Sequence, residues 1–210
     1  MNLTTKQATQ NIFSRLNWKI YPSTLFLITT FLLILPCILF LPRKYAWENS
    51  FIENLQLVII FILFIISKKV KKRKNLFNWV AMIAIILFLR EINCGRIFFP
   101  LNNAEAPVFK QWNQILSYPY NYIPNILFGL FILYAFYYFF KFKVYSELLK
   151  ILKYKKIDCL NILFIILGIF LNITGEKIIH NEMIEETGET LFYIAFTILI
   201  FNYGFNKDYE

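Results

Sequence analysis

The chain has 210 residues, of which 58% are hydrophobic and 20% aromatic, and its 22 lysines and arginines against 13 acidic residues give a formal net charge of +9. Several apolar stretches reach the length of about 17 to 23 residues that a helix needs to cross a bilayer, which excludes an ordinary water-soluble domain. The basic residues form short clusters between these stretches, a pattern typical of topology signals and lipid contacts and not of a nucleic-acid-binding surface.

The apolar stretches predict an all-α fold, a polytopic bundle of about six transmembrane helices in one integral membrane domain over residues 1–210. In chain order the predicted spans are 23–41, 51–67, 76–92, 122–141, 159–178 and 189–206. Residues 1–22 are polar and mixed in charge, and the long apolar run after them lacks a small-residue cleavage site, so we do not expect a secretory signal. Between the third and fourth spans, VFKQWNQIL at 108–116 favours a short interfacial or re-entrant helix.

The loops on the two sides of the predicted bundle differ sharply in charge. The N-terminal segment, the run KKVKKRK at 68–74, residues 141–156 and Lys207 together hold 16 basic residues, whereas the opposite loops hold five. The positive-inside rule therefore predicts six helices with both termini in the cytoplasm. The segment KFKVYSELLKILKYKK at 141–156 alternates apolar pairs with lysines at helical spacing, so we expect it to lie on the inner membrane surface against anionic lipid. A helix that binds a partner protein is the alternative for this segment.

Two short polar patterns border the second and third spans on the predicted outer side. The first, WENSFIENLQ at 47–56, opens the second span, and helical spacing places three polar side chains on one face, those of Asn49, Glu53 and Gln56. The second, FLREINCGRIFF at 88–99, ends the third span and supplies Arg90, Glu91, Cys94 and Arg96. Ionisable side chains inside or at the mouths of membrane helices usually face the bundle interior or water, so we expect both patterns to face inward.

A third pattern, HNEMIEETGET at 180–190, precedes the sixth span. If the helix starts early, one helical stripe carries four glutamates, Glu182, Glu185, Glu186 and Glu189. Like-charged pairs on a helix cost about 0.2 to 0.5 kcal/mol each in water, so this stripe needs a compensating charge. A guanidinium can supply it by holding a carboxylate with two hydrogen bonds, and a divalent cation with His180 as a nitrogen ligand is the alternative.

These patterns define the candidate site residues. The candidate catalytic residues are Glu53, Glu91 and Glu189. The candidate binding residues are Arg90, Arg96, Asn49 and Gln56. The candidate ligands of a divalent metal cofactor are Glu53, Glu91, Glu186, Glu189 and His180. The alternative interpretation is that these residues bind no ligand and form a network of arginine and glutamate that only fixes the packing of the helices.

Taken together, the three patterns resemble an uncharacterised family of bacterial multi-pass inner-membrane proteins. In that family an element ending E-[NW]-L-Q opens an early span, an element of the form R-E...G-R-I-F ends the next, and E-E-x-x-E opens the last, and here they are matched by residues 49–56, 90–98 and 185–189. The sequence departs from the family where Arg90 replaces an acid or glycine and Cys94 an aromatic residue. The resemblance implies the same outer cluster and no particular reaction.

The outer cluster predicts an intramembrane enzyme or binding protein that acts on a lipid headgroup or an envelope precursor. A structural or assembly subunit without catalysis is the main alternative. An ion transporter or channel is a weaker one, because the inner halves of the spans hold almost no ionisable residues. A thiol enzyme that uses Cys94, Arg96 and His180 is a further alternative.

Overall fold

The computed structural model describes residues 15–47, 50–101 and 109–209, without the side chains of residues 35, 43 and 154, and these residues are largely helical. Within them the α-helices are α1 (Pro22–Phe40), α2 (Phe51–Lys69), α3 (Lys74–Glu91), α4 (Trp112–Ile115), α5 (Ile123–Lys141), α6 (Val144–Tyr154), α7 (Cys159–Ile173) and α8 (Glu182–Phe205). Shorter 3₁₀ turns occupy Arg43–Ala46, Asn93–Phe98, Tyr120–Tyr122 and Lys207–Tyr209, and a π-helical turn, Thr174–Ile179, extends α7. Two-residue strands, β1 (Leu16–Asn17) and β2 (Ile157–Asp158), pair in parallel.

Five helical segments of the described chain are long and apolar enough to cross a membrane. They are Pro22–Phe40, Lys44–Lys69, Tyr120–Lys141, Cys159–Ile179 and Glu182–Phe205. The predicted helical fold with several helices able to cross a membrane is therefore confirmed, whereas the number and orientation of the spans stay predictions. Helix α3 coincides with the predicted third span, but it begins at Lys74 and ends at Arg90 and Glu91 and is not among the five, so the count of six stays a prediction.

The ends of the long helices gather at two ends of the bundle. At what we call the lysine-rich end, defined by residues 68–74 and 141–156, the backbone N–H of Leu76 at the start of α3 donates to Glu147 of α6 over 3.3 Å. The pairing of β1 with β2 places the residues before α1 next to the start of α7. The long helices of the described chain therefore alternate in direction between this end and the opposite one.

Polar contacts also bring the two ends of the described chain together at the lysine-rich end. The Tyr21 hydroxyl donates to Asp208 over 2.7 Å, and the Lys19 ammonium lies 3.2 Å from the same carboxylate. The Asn17 amide donates to the hydroxyls of Tyr21 and Tyr209 over 3.0 and 2.9 Å. These contacts therefore join the residues before α1 to the residues after α8.

Helix α8 is the central helix, because it contributes to the two larger apolar clusters of the core. Tyr193 packs in a cluster with α2, α3, α5 and α6, whereas Leu191, Ile194, Ala195 and Ile198 pack against α1 and α7. The contact with α7 is close enough to require glycine. A β-carbon at Gly188 would lie 2.5 Å from the backbone nitrogen of Asn172, which matches the small-residue packing of membrane helices.

Candidate functional site

Polar residues from α2, α3 and α8 lie together at the end of the bundle opposite the lysine-rich end. We call it the carboxylate end, defined by Glu53, Glu91, Glu186 and Glu189. The three polar patterns of the sequence supply these residues, since Glu53 lies in the first turn of α2, Glu91 is the last residue of α3, and the other two lie in the first turns of α8. The structure thus places side chains that are distant in sequence in one region.

Arg90 links the end of α3 to α8 and, through it, to α7. Its Nη2 atom lies 2.5 Å from both carboxylate oxygens of Glu189, and the amide of Asn172 donates to Oε1 of the same carboxylate over 2.9 Å. Such a charge-assisted contact is among the stronger hydrogen bonds in proteins. The Arg90 side chain nevertheless stays 52% exposed, so part of the guanidinium faces outward.

Glu91 lies deeper, beside the same arginine. Its side chain is only 6% exposed, the Tyr193 hydroxyl donates to its Oε1 over 2.6 Å, and the Arg90 Nε lies 3.3 Å from that oxygen. One guanidinium therefore faces two carboxylates, those of Glu91 and Glu189. Buried charges are tolerated when they are paired in this way.

Gln56 joins α2 to α8 in the same region. Its fully buried side chain donates to the backbone oxygen of Glu186 over 3.0 Å, to the Glu186 carboxylate over 2.9 Å and to the Thr190 hydroxyl over 3.2 Å. Glu53, one turn earlier on α2, is also buried. The acidic stripe of α8 is thus divided, because Glu186 and Glu189 bind neighbouring helices whereas Glu182 at the start of the helix is exposed.

The structure does not assemble the predicted metal ligands into a metal site. Within residues 15–47, 50–101 and 109–209 there is no group of three or more His, Cys, Asp or Glu side chains that could hold a metal ion. His180 is exposed in a left-handed conformation before α8. The Arg90 guanidinium binds the carboxylates of Glu189 and Glu91, which are the groups that a cation would need. Asn49, a predicted binding residue, lies outside the described residues.

A polar cleft of about 540 Å³ opens beside Arg90, and we call it the amide pocket. It lies between the end of α3, helix α4 and the start of α5. Its lining residues are Arg90, Asn93, Cys94, Arg96, Gln111, Trp112, Asn113, Asn121, Tyr122, Asn125 and Phe128. Two guanidinium groups and five carboxamides thus line a cleft that no acidic side chain of the described chain lines.

The turn after α3 directs Arg96 into the amide pocket. Asn93, Cys94 and Gly95 have φ values of 48°, 53° and 96°, so three successive residues are left-handed and the helical path of α3 ends there. Such a conformation is costly for residues other than glycine and is often found at functional sites. Arg96 then donates to the side-chain oxygen of Gln111 over 2.5 Å and to that of Asn93 over 3.3 Å.

The electrostatic character of the amide pocket follows from these partners. Arg96 has neutral amide acceptors and no carboxylate partner among the described residues, so the pocket carries a positive charge. Burial raises the pKa of the Cys94 thiol, which favours the protonated and less nucleophilic form at neutral pH. His180 does not line the pocket, so the thiol, guanidinium and imidazole of the proposed thiol enzyme are not brought together there.

A second, smaller cleft adjoins the first at Arg90. It has a volume of about 180 Å³, and we call it the lateral cleft. Its lining residues are Arg90, Gly168, Ile169, Asn172, Glu189, Phe192 and Tyr193. Arg90 thus borders a polar cleft on one side and a partly apolar cleft on the other.

No family model, curated protein or solved structure matches the chain. The resemblance to a family of bacterial membrane proteins therefore stays a prediction. Any functional conclusion depends on the residues of this chain and on their arrangement.

Several residues of the site were not identified from the sequence. Tyr193 lies four residues after Glu189 on α8, so the helical spacing of the acidic stripe would have included it had the stripe been continued into the apolar span. Asn172 is a lone amide in the apolar stretch LGIFLNITG, which is itself a signal. Three others are amides of the amide pocket that lie in the connection between α3 and α5, namely Gln111, Asn113 and Asn121. The sequence of this connection has no clear periodicity, so the spacing of these residues does not predict that they line one pocket.

Proposed function

We propose that this protein is a six-span protein of the bacterial inner membrane that binds the anionic headgroup of a lipid or envelope precursor at its outer face. The alternating direction of the long helices supports an even number of spans with α3 included. The lysines at one end of the bundle support a cytoplasmic position for that end and for both termini. The carboxylate end and the amide pocket then face outward.

The observation that carries the proposal is the amide pocket. Arg96 offers a planar, permanently charged donor set that matches phosphate or carboxylate oxygens, and it has no carboxylate partner among the described residues. The surrounding carboxamides can donate and accept, which suits the ester oxygens and hydroxyls of a headgroup. A cleft of about 540 Å³ lies within the usual range of ligand sites.

The carboxylates support binding more directly than catalysis. Glu53 and Glu91 are buried, and of the three candidate catalytic residues only Glu189 lines the amide pocket or the lateral cleft. Its carboxylate is bound by Arg90 and Asn172. We therefore assign Glu91 and Glu189 to the positioning of Arg90, which lines both clefts.

A structural subunit without a ligand is the second candidate. The observation that favours it is the network itself, because Arg90, Gln56 and Asn172 connect four helices through α8 and would fix their register in the absence of any ligand. Arg96 favours the binding proposal, because among the described residues it contacts only neutral amides and takes no part in this network.

At the opposite face we propose a contact with anionic lipid through α6. Val144 and Ile151 of this helix are buried against the bundle, whereas Leu149 and Leu152 are exposed and alternate with Lys150 and Lys153. An apolar strip flanked by lysines suits a helix at the interface between headgroups and acyl chains. The lysines would then lie near the acidic headgroups of the inner leaflet.

The experiment that tests headgroup binding uses glycerol 3-phosphate as a soluble probe. We expect saturable binding to the purified wild-type protein in nanodiscs by calorimetry and a weakening of about tenfold or more in Arg96→Gln, because a hydrogen bond to a charged group contributes about 1.5 to 3 kcal/mol. Lys177→Gln is the matched control, since Lys177 is an exposed cation of the same end, paired with Glu176, and lies outside the amide pocket. Equal affinities of wild type and Arg96→Gln, or no saturable binding, would overturn the proposal.

A further inference from the structure

We propose that the ligand is a lipid of the outer leaflet whose anionic headgroup occupies the amide pocket and whose acyl chain lies in the lateral cleft. This inference rests on the proposed function and adds the class of the ligand. It predicts that the protein distinguishes an amphiphile from a free headgroup and that the two clefts act as one site.

The first supporting observation is that the two clefts share a side chain. Arg90 lines both of them, and its guanidinium contacts the carboxylate of Glu189. Arg90 already faces the two carboxylates of Glu189 and Glu91, so the guanidinium of the site that has no carboxylate partner among the described residues is that of Arg96. An anion therefore binds on the Arg96 side, and a chain attached to it passes Arg90 to reach the lateral cleft.

The second observation is the construction of the lateral cleft. Gly168 lines the cleft where α7 and α8 pack closely, since a β-carbon there would lie 2.7 Å from the backbone nitrogen of Phe192. The Phe192 ring stacks on that of Phe196 at an interplanar angle of 3°, which extends the aromatic surface one turn further from the carboxylate end. Ile169 forms a wall and is 43% exposed on a helix long and apolar enough to span the membrane, so it faces hydrocarbon.

The third observation is the size of the lateral cleft. At about 180 Å³ it is smaller than the roughly 300 to 1,000 Å³ of typical ligand pockets, so it suits a part of a ligand better than a whole one. A hollow on the hydrocarbon-facing surface forfeits dispersion contacts unless a chain fills it. A lipid chain is the apolar occupant that the membrane itself supplies, and its headgroup would lie level with Arg90 and Arg96.

The experiment uses phosphatidylglycerol that carries a photoreactive diazirine in its acyl chain, in nanodiscs with the full-length protein. We expect the cross-links to concentrate on peptides around Ile169 and Phe192. Ile169→Trp fills the cleft and is expected to reduce this cross-linking by about tenfold, the effect of displacing a few buried methylene groups. Ile166→Trp is the matched control, because Ile166 is an exposed isoleucine of the same helix that does not line the cleft.

The outcomes separate this inference from the proposed function. Binding of glycerol 3-phosphate that is unchanged in Ile169→Trp, with cross-linking lost only in that variant, supports both. Retained binding of the headgroup with cross-links spread evenly over the wild-type helices overturns the lipid inference and leaves the proposed function standing. Equal cross-linking by diazirine-labelled phosphatidylcholine overturns the requirement for an anionic headgroup. The cross-link map of the wild type needs no variant, so the test does not depend on the folding of Ile169→Trp.

Discussion

Replacement of Tyr193 by phenylalanine tests whether the buried network at the carboxylate end stabilises the bundle. The change removes one hydroxyl, which donates to Glu91 over 2.6 Å, and leaves the aromatic ring that packs in the core. The Glu91 carboxylate then keeps the Arg90 Nε at 3.3 Å. Because both side chains are buried, water cannot replace the lost donor without opening the bundle.

The magnitude follows from the charge and burial of the acceptor. Hydrogen bonds between membrane helices contribute about 0.6 kcal/mol on average, with a maximum of about 1.7 kcal/mol. Hydrogen bonds to charged groups in proteins reach about 1.5 to 3 kcal/mol. A charged and buried acceptor places this bond at the upper end of the first range, so we expect Tyr193→Phe to lower the free energy of unfolding by about 1.5 kcal/mol.

The assay is reversible unfolding in mixed micelles, followed by tryptophan fluorescence or by helical circular dichroism. Tyr134→Phe is the control, since Tyr134 is an exposed tyrosine of α5, and we expect no change there. A double-mutant cycle with Glu91→Gln isolates the pair, because the two effects are not additive if the hydroxyl and the carboxylate interact. Additive effects, or a loss no larger than that of Tyr134→Phe, would refute the network as a stabilising element.

Two further predictions concern packing and pH. Gly188→Ala should lower the free energy of unfolding by about 2 kcal/mol in the same assay, because the added methyl group meets backbone atoms that cannot turn away, whereas Gly129→Ala, with no atom within 4 Å of its β-carbon, should cause no loss. At the other end of the bundle, the hydrogen bond from Tyr21 and then the one from Lys19 hold the pKa of Asp208 below its ordinary value. The stability that this carboxylate contributes is therefore present above its unfolded pKa of about 3.9 and is lost as the pH falls through the lower folded value. Carboxypeptidase digestion of the C-terminal residues should accelerate below about pH 4 in the wild type, and a rate independent of pH in that range, equal to that of Asp208→Asn, would contradict the assignment.

The helices were the most predictable part of the fold, because long apolar runs have few other ways to satisfy their backbone hydrogen bonds in a membrane. The boundaries were less accurate where polar residues continue a helix. The sixth span was predicted to begin at Glu189, yet α8 begins at Glu182, since the Asn181 side chain caps the helix by accepting a hydrogen bond from the Met183 N–H over 3.0 Å. The fifth span ends in a π-helical turn that hydropathy does not distinguish from an α-helix.

The part of the candidate site that could be predicted from the sequence is the part in which charged side chains require partners of opposite charge. The four acidic residues of the 182–189 stripe required compensation, and an arginine at the end of the neighbouring span was one of two solutions. Composition alone does not decide between a guanidinium and a divalent cation, because both satisfy the same carboxylates. In the structure the Arg90 guanidinium contacts Glu189 and Glu91, and His180 lies exposed away from the linings of the two clefts.

The amide pocket was not predictable, and the reason bears on its function. Its shape depends on the turn at Asn93, Cys94 and Gly95, where asparagine and glycine are residue types that favour a left-handed conformation but cysteine is not. Amides carry no charge, so a search of the sequence for acidic and basic residues that compensate each other does not identify them. Arg96 was predicted as a binding residue, and the structure places its guanidinium against neutral amide acceptors, with no carboxylate partner among the described residues. The two arginines of one short segment thus have different partners: Arg90 binds carboxylates of the helix bundle, whereas Arg96 contacts neutral amides, and in the function that we propose it is Arg96 that binds the anionic headgroup.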